Sequence, residues 1–292
     1  MAIFDRDTTA LSACTLATYR SRLSRLAAAV GTPTVRAAIS RGKAGYAALQ
    51  KAGLSVVTRK NMLVAVSAVL SRSDAYSAAA AAAWKSGLRS LCQLAAAAED
   101  DNRVSPAMRK KLIDVAEARR VAADIVPRTR RDSLDKLLMR MTVDIPPKRA
   151  DLGDLRVAAR DTPSGNCIVL PRSGAATLVL RDYKTAKAFG EFRETLPDEL
   201  TRDLRDSLRD YPREHVFVGR DNGPLSAAAF GEAVKATFRR RMGVAAGVNS
   251  IRHAYISQFC VPGVQTTAEL KRIAASMNHG VAMQTRYHLV GL

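Results

Sequence analysis

The sequence predicts two domains: an all-α helical bundle, then an α+β domain with a small antiparallel sheet and many helices. Three observations carry this. The 292 residues amount to about two domains at roughly 150 residues each. Apolar residues recur at spacings of three and four through the first third, and short β-like runs bounded by Gly, Pro and Ser appear only after residue 150. Between the two patterns lies a charged stretch over 99–131, broken by Pro106 and Pro127.

The first helix is expected over 15–30. Leu16, Tyr19, Leu23, Leu26 and Val30 form its apolar stripe, Arg20, Arg22 and Arg25 fall elsewhere, and Gly31-Thr32-Pro33 ends it. Further helices are expected over 35–49, 56–70 and 76–98. The last is Ala-rich, which suits close helix packing, and Leu88, Leu91 and Leu94 make it a packed helix rather than a disordered tract. A helix over 106–123 closes this domain near residue 125, with a basic linker at 126–131 and the second domain over 132–292. There the strands are 155–158, 167–170 and 177–180. Helices return at 197–211, 226–241, 250–260, 267–277 and 281–289, with Ser226 and Thr267 as N-caps.

Charge narrows the partner. Lys and Arg number 46 against 27 Asp and Glu, a net charge of +19, while 47% hydrophobic residues exclude a disordered polycation. Residues 1–98 hold 13 cations and three acids, so the surplus is concentrated on the bundle. A polyanion, most often nucleic acid, is the implied partner; solvated helix faces and an anionic membrane surface are the plainer alternatives. The longest apolar run, Ala78–Trp84, is far short of the ~18 residues of a membrane span. The first ten residues lack an apolar signal segment, so an intracellular location is expected. Cys14, Cys92, Cys167 and Cys260 are scattered, with no Cys-x-x-Cys pair, which predicts neither a disulfide framework nor a metal site.

Candidate chemistry gathers towards the carboxy-terminus. NSIRHAYISQFC carries Arg252 and His253, and MNHGVAMQTRYHLVGL carries His279 with Tyr287 eight residues on. Upstream, IPPKRADLGDLRV places Arg149 ahead of Asp151, Leu152 and Leu155, and LVLRDYKTAKAFGEFRETLP places Lys184 in a turn between strand-like runs. Singly, each has an ordinary reading: a surface salt bridge for Arg252, a packed histidine for His253, a solvated lysine beside Lys187 for Lys184, a helix start for His279. Tyr287 reads as an aromatic plug, and Tyr255 is as good a candidate on composition alone.

As an ordered Arg…Lys…Arg…His…Tyr series, these residues resemble the tyrosine recombinase (phage integrase) family. Its carboxy-terminal signature is a His-x-x-Arg-His helix, a His at a helix start, and the nucleophilic Tyr eight or nine residues later. The Pro-Pro-x-Arg-x-Asp and Tyr-Lys-Thr forms are more similar to recombinases of large DNA viruses and eukaryotic mobile elements than to the common bacterial form. The likeness covers 140–292 and, more loosely, the basic bundle, which matches the family's core-binding domain in type and position.

The resemblance implies a site-specific recombinase or integrase that breaks and rejoins double-stranded DNA through a covalent 3′-phosphotyrosyl intermediate, without cofactor, metal or ATP, as a homo-tetramer on DNA. Tyr287 is then the nucleophile, Arg149 and Arg252 grip the phosphate, Lys184 is the general acid and His279 assists. The residue types suit that chemistry. An ordinary phenol, with pKa about 10, is a poor nucleophile at neutral pH unless cations favour the phenolate. Guanidinium forks offset the charge of a pentacovalent transition state.

The sequence departs from the family's pattern in three places. Asn249 stands three residues before Arg252, where the family has His; it can donate to a phosphate but cannot take a proton. Lys148 occupies the place the commoner Arg-x-x-Glu-Leu spacing gives to Arg, so that role falls on Arg149. Five residues follow Tyr287, a short segment to donate to a neighbouring subunit. Phosphate contacts along the duplex are expected from Arg20, Arg22, Arg25, Arg59 and Lys60 of the bundle and from Arg130 and Arg131 of the linker, the two domains closing on DNA as a clamp. Two other functions fit the same residues: a type IB topoisomerase-like DNA-relaxing enzyme, and a non-catalytic DNA-binding protein derived from a recombinase.

Overall fold

The computed structural model describes residues 11–100, 104, 106–148, 152–260 and 264–289. The chain divides into two compact units, residues 1–101 and 102–292.

The first unit is helical: α1 (Ala13–Val30), α2 (Val35–Ser40), α3 (Gly42–Lys51), α4 (Val56–Leu70) and α5 (Ala78–Asp100). Ser12, Thr34 and Ser55 cap α1, α2 and α4 by accepting from the backbone N–H of Thr15, Ala37 and Thr58. The apolar stripe of α1 is buried as its spacing requires, with Leu23, Leu26 and Val30 packed against Ile39, Leu49, Leu63, Val66, Trp84 and Leu91. The single helix expected over 35–49 is two helices. Gly42 adopts φ +49°, and a Cβ there would lie 2.8 Å from the Ala80 Cα, so the chain turns where α3 meets the Ala-rich α5. Trp84, on α5, donates its indole N–H to the Ile39 carbonyl at 2.8 Å and meets Tyr46 edge-on.

The second unit begins earlier than the boundary expected near residue 125. The helix expected over 106–123 is α6 (Pro106–Arg109) and α7 (Val115–Asp124), and Val115, Ala118 and Ala122 of α7 belong to the second unit's core. Gln258 grips the break: its Oε1 accepts from the Val115 N–H at 3.0 Å and its Nε2 donates to the Ile113 carbonyl at 3.1 Å. Nor is 126–131 a free linker, because Thr129 and Asp132 form a capping box that opens α8 (Arg130–Val143).

No helix was expected over 130–143, because polar residues occupy α8's buried positions. Asp135 is held by Arg240 at 2.6 Å, Arg241 at 2.9 Å and Thr237 at 3.0 Å. Arg140 pairs with Asp144 at 2.5 Å, Asp203 at 2.6 Å and Glu199 at 2.9 Å. Such paired charges leave no clean apolar stripe to read.

Four short strands follow, β1 (Arg156–Ala158), β2 (Cys167–Val169), β3 (Thr177–Leu180) and β4 (Phe192–Thr195), in spatial order β1-β2-β3-β4. The sheet is mixed rather than antiparallel: β1 pairs with β2 in parallel, Arg156 opposite Cys167, and the other pairs are antiparallel. Strands of three residues, about 10 Å long, let a short loop carry the chain back to their start.

Between β3 and β4 runs a one-turn helix, α9 (Ala186–Phe189). The remaining helices are α10 (Asp198–Asp210), α11 (Ala227–Met242), α12 (Val248–Phe259), α13 (Thr267–Ser276) and α14 (Val281–Tyr287). Ser226 caps α11 as expected; α13 is capped by Thr266, in a box with Glu269, rather than by Thr267. Among the described residues no helix is long and apolar enough to cross a membrane.

Gly42→Ala is expected to cost the first unit about 1–3 kcal/mol, from the positive φ and the closed space together. Trp84 is the chain's sole tryptophan, so its emission during urea unfolding reads this unit. An unchanged midpoint would show that α3 and α5 do not meet at Gly42.

Candidate active site

Three elements of the second unit converge on the carboxyl end of α13. The last carbonyls of a helix lack intrahelical partners and carry its negative dipole end. At this end and just past it, three consecutive carbonyls are taken by side chains from elsewhere: Ser276, the last helical residue, by the Lys148 ammonium, the C-cap Met277 by Arg252 Nη2 at 3.3 Å, and Asn278 beyond it by the Thr185 hydroxyl at 3.1 Å. Asn278 then turns the chain at φ +57°, a conformation asparagine tolerates, and delivers His279 to the approach of α14.

Arg252 lies on α12 and is 1% exposed, with Nη1 donating to the Pro147 carbonyl at 2.6 Å. Tyr287 closes α14, and three side chains lie against its ring. The Arg252 guanidinium lies 5.1 Å from the ring centroid, the His279 ring stacks at 5.8 Å and the His253 ring is tilted at 4.7 Å. His253 Nδ1 donates to the Tyr287 carbonyl at 2.9 Å and His279 Nδ1 to the Gly280 carbonyl at 3.1 Å, which leaves Nε2 as the acceptor nitrogen of each neutral ring. Tyr255, the competing tyrosine, packs on Phe259 at 4.9 Å, and burial raises its pKa.

Lys184 sits exposed in the turn after β3. Asn166 shapes that turn by accepting from the Arg181 and Asp182 N–H groups, both at 2.9 Å, and the Tyr183 hydroxyl closes it on the Gly190 carbonyl at 2.7 Å. Lys184 and Asn249 line one depression of about 700 Å³ with Ser250, Lys111, Lys235 and Arg239, Glu232 being the acid among them. Asn249 is exposed in the first turn of α12, whose N-cap Gly247 offers no side chain to the open N–H groups. The structure thus brings Arg252, His279 and Tyr287 together, and Lys184 with Asn249 beside the start of the same helix. Arg149 lies outside the described residues; Lys148, the residue before it, is part of the convergence.

Of the residues expected on DNA, Arg20, Arg25 and Arg131 are exposed, and Arg22, Arg59, Lys60 and Arg130 are half-buried. Arg130 donates to the Asn222 side chain. With Arg131, Arg220 and Arg240 it rims a second depression of about 500 Å³ over Leu138, Phe217 and Leu225.

Sequence reasoning set His253 aside, although the Arg-His pair placed it one residue from Arg252; the structure puts it on the Tyr287 ring. Thr185 gave no signal of its own, because its partner is a backbone carbonyl remote in sequence; Lys148 stood out only by its spacing, and its contacts with the Ser276 carbonyl and Glu194 were not legible.

Among the solved structures that resemble the chain are two recombination proteins. One is a crystal structure of XerA recombinase, at 14% identity and TM-score 0.43, covering 96% of this chain and 89% of that one. The other is a lambda integrase tetramer bound to a Holliday junction, at 12% identity and TM-score 0.43, covering 96% and 73%. No protein-family model and no curated protein matches the chain.

Burial lowers the His253 pKa, with the neighbouring Arg252 charge acting in the same direction. The folded protein therefore resists protonating this ring. Between the depressed folded value and the ordinary value of about 6.5, stability is expected to fall as pH falls. An NMR titration should place the His253 midpoint below that ordinary value. A midpoint at or above it would mean that the ring does not pack on Tyr287.

Proposed function

We propose that the chain breaks and rejoins double-stranded DNA as a tyrosine recombinase, with Tyr287 as nucleophile. The observation that carries this reading is the Tyr287 ring lying among the Arg252 guanidinium and two imidazoles. In the step envisaged, the Tyr287 oxygen forms a bond to phosphorus and the bond from phosphorus to the 5′-oxygen breaks. Lys184 gives that oxygen its proton, and His279 Nε2 serves the phosphate or receives the phenol proton. Arg149 and Arg252 offset the charge on the non-bridging oxygens, and Asn249, with the open amino end of α12, adds donors to the phosphate. The phosphotyrosyl bond conserves the energy of the one it replaces, so rejoining is the reverse step. Assembly as a tetramer on DNA, in an intracellular setting, belongs to the same proposal.

The described state is closed. Arg252 gives its N–H groups to Pro147 and Met277 and lies under the Tyr287 ring, so engaging a phosphate requires the ring to move off. A non-catalytic DNA-binding protein would keep this closed state permanently, and that is the second reading.

Nicked, end-labelled duplexes carrying the DNA that flanks the gene separate the two. The wild-type chain is expected to form an SDS-resistant adduct and Tyr287→Phe none. No adduct from the wild type sinks the catalytic reading, and an adduct from the variant sinks the choice of nucleophile.

Affinity is expected to depend on salt, with log K falling against log salt by about 0.9 per phosphate contact. Replacing Arg20, Arg22 and Arg25 together by Ala should flatten the slope by about 2–3. An unchanged slope would place these side chains off the duplex.

A further inference from the structure

Among the described residues Lys148 is the one fully buried lysine, 4% exposed, and the scheme above gives it no task. Its ammonium is 2.8 Å from Glu194 Oε2, 3.8 Å from the centroid of the Phe192 ring, and hydrogen-bonded to the Ser276 carbonyl. The residue before it, Pro147, accepts from Arg252 at 2.6 Å, and Arg252 in turn donates to Met277, the residue after Ser276. These contacts close a ring that runs from Pro147 to Arg252, Met277, Ser276, Lys148 and back to Pro147. It joins the segment leading into Arg149, the helix that bears Arg252 and the turn that bears His279.

Resting on the strand-transfer reading, we infer that Lys148 is a positioning residue for the reaction: its charged amine, paired with Glu194, registers these three segments around the scissile phosphate. A neutral side chain of similar length could fill the space. It could not satisfy the Ser276 carbonyl and the half-buried Glu194 carboxylate together, and an unsatisfied buried acceptor is costly.

The same surroundings make the amine titratable near physiological pH. Burial drives its pKa down to about 8, Glu194 on β4 pulls it up, and Arg252 on α12 adds to the fall. The Phe192 ring and the Ser276 carbonyl complete what faces it. Below that value the pair with Glu194 is intact. Above it the ammonium is lost and the carboxylate stands alone, so strand cleavage should slow as pH rises through about 8.

The test is the initial rate of adduct formation on the nicked duplex from pH 6.5 to 9, with DNA binding and circular dichroism measured on the same samples. Lys148→Met is expected to cleave at least ~10-fold more slowly at pH 7 with unchanged DNA affinity, and to lose the inflection near 8. Glu194→Gln should keep the inflection but move it to lower pH by about half a unit or more, because the charge that supports the ammonium is gone. Lys148→Arg, charged throughout the range, should restore rate relative to Lys148→Met and show no inflection.

A wild-type rate and pH profile in Lys148→Met overturns the inference and leaves the catalytic reading standing. If Lys148→Met fails to fold, Glu194→Gln decides alone, and an unmoved inflection overturns it. If the wild type forms no adduct, both fall together.

Discussion

The second unit's site depends on the unfinished end of one helix. Three successive carbonyls, at Ser276, Met277 and Asn278, have no partners within α13, and each accepts a donor from a different part of the chain. Two of the donors are cations, which the negative end of a helix dipole favours. Because a buried carbonyl left unpaired costs ~1–3 kcal/mol, the end of α13 fixes where its donors must lie. Arg252, the Lys184 turn and the Pro147–Lys148 segment are thereby set around a common point, and the His279 turn leaves from it.

Elsewhere in the unit, charge secures structure rather than a ligand. Asp135 holds two arginines of α11, and Arg140 holds three carboxylates. Of these cations Arg140, 8% exposed, counts towards the net charge of +19 while being held away from any polyanion. Those left exposed, such as Arg20 and Arg25 on α1 and Lys184 beside β3, are the ones a phosphate can reach. A total charge identifies a class of partner; only burial separates cations that bind outward from cations that bind inward.

The sequence was most legible where one force acted alone. α1 and α4 were readable from apolar spacing, and α4 runs over the expected 56–70. α8 was not, since paired charges sit where its apolar stripe should be. The break between α2 and α3 depends on how closely Gly42 meets Ala80, a contact 38 positions away that no local pattern encodes. At the site, Arg252, His279 and Tyr287 could be named from order and spacing, and the structure puts them in contact. The parallel pairing of β1 and β2 and the contact of Lys148 with the Ser276 carbonyl are hydrogen bonds to backbone, which carry no side-chain signature.

The grip of Gln258 on the break before α7 bears on how the chain can be cut and rejoined by design. Its amide spans the Ile113 carbonyl and the Val115 N–H, tying the start of the second unit's core to α12, 143 residues further on. A fragment starting at α8, the natural truncation if 126–131 were a linker, would discard α7, leave that amide without either partner and bare the apolar surfaces that Val115 and Ala118 cover. The shortest autonomous piece bearing Tyr287 therefore has to begin ahead of Ile113, and any transplant of this half onto another module should be joined there.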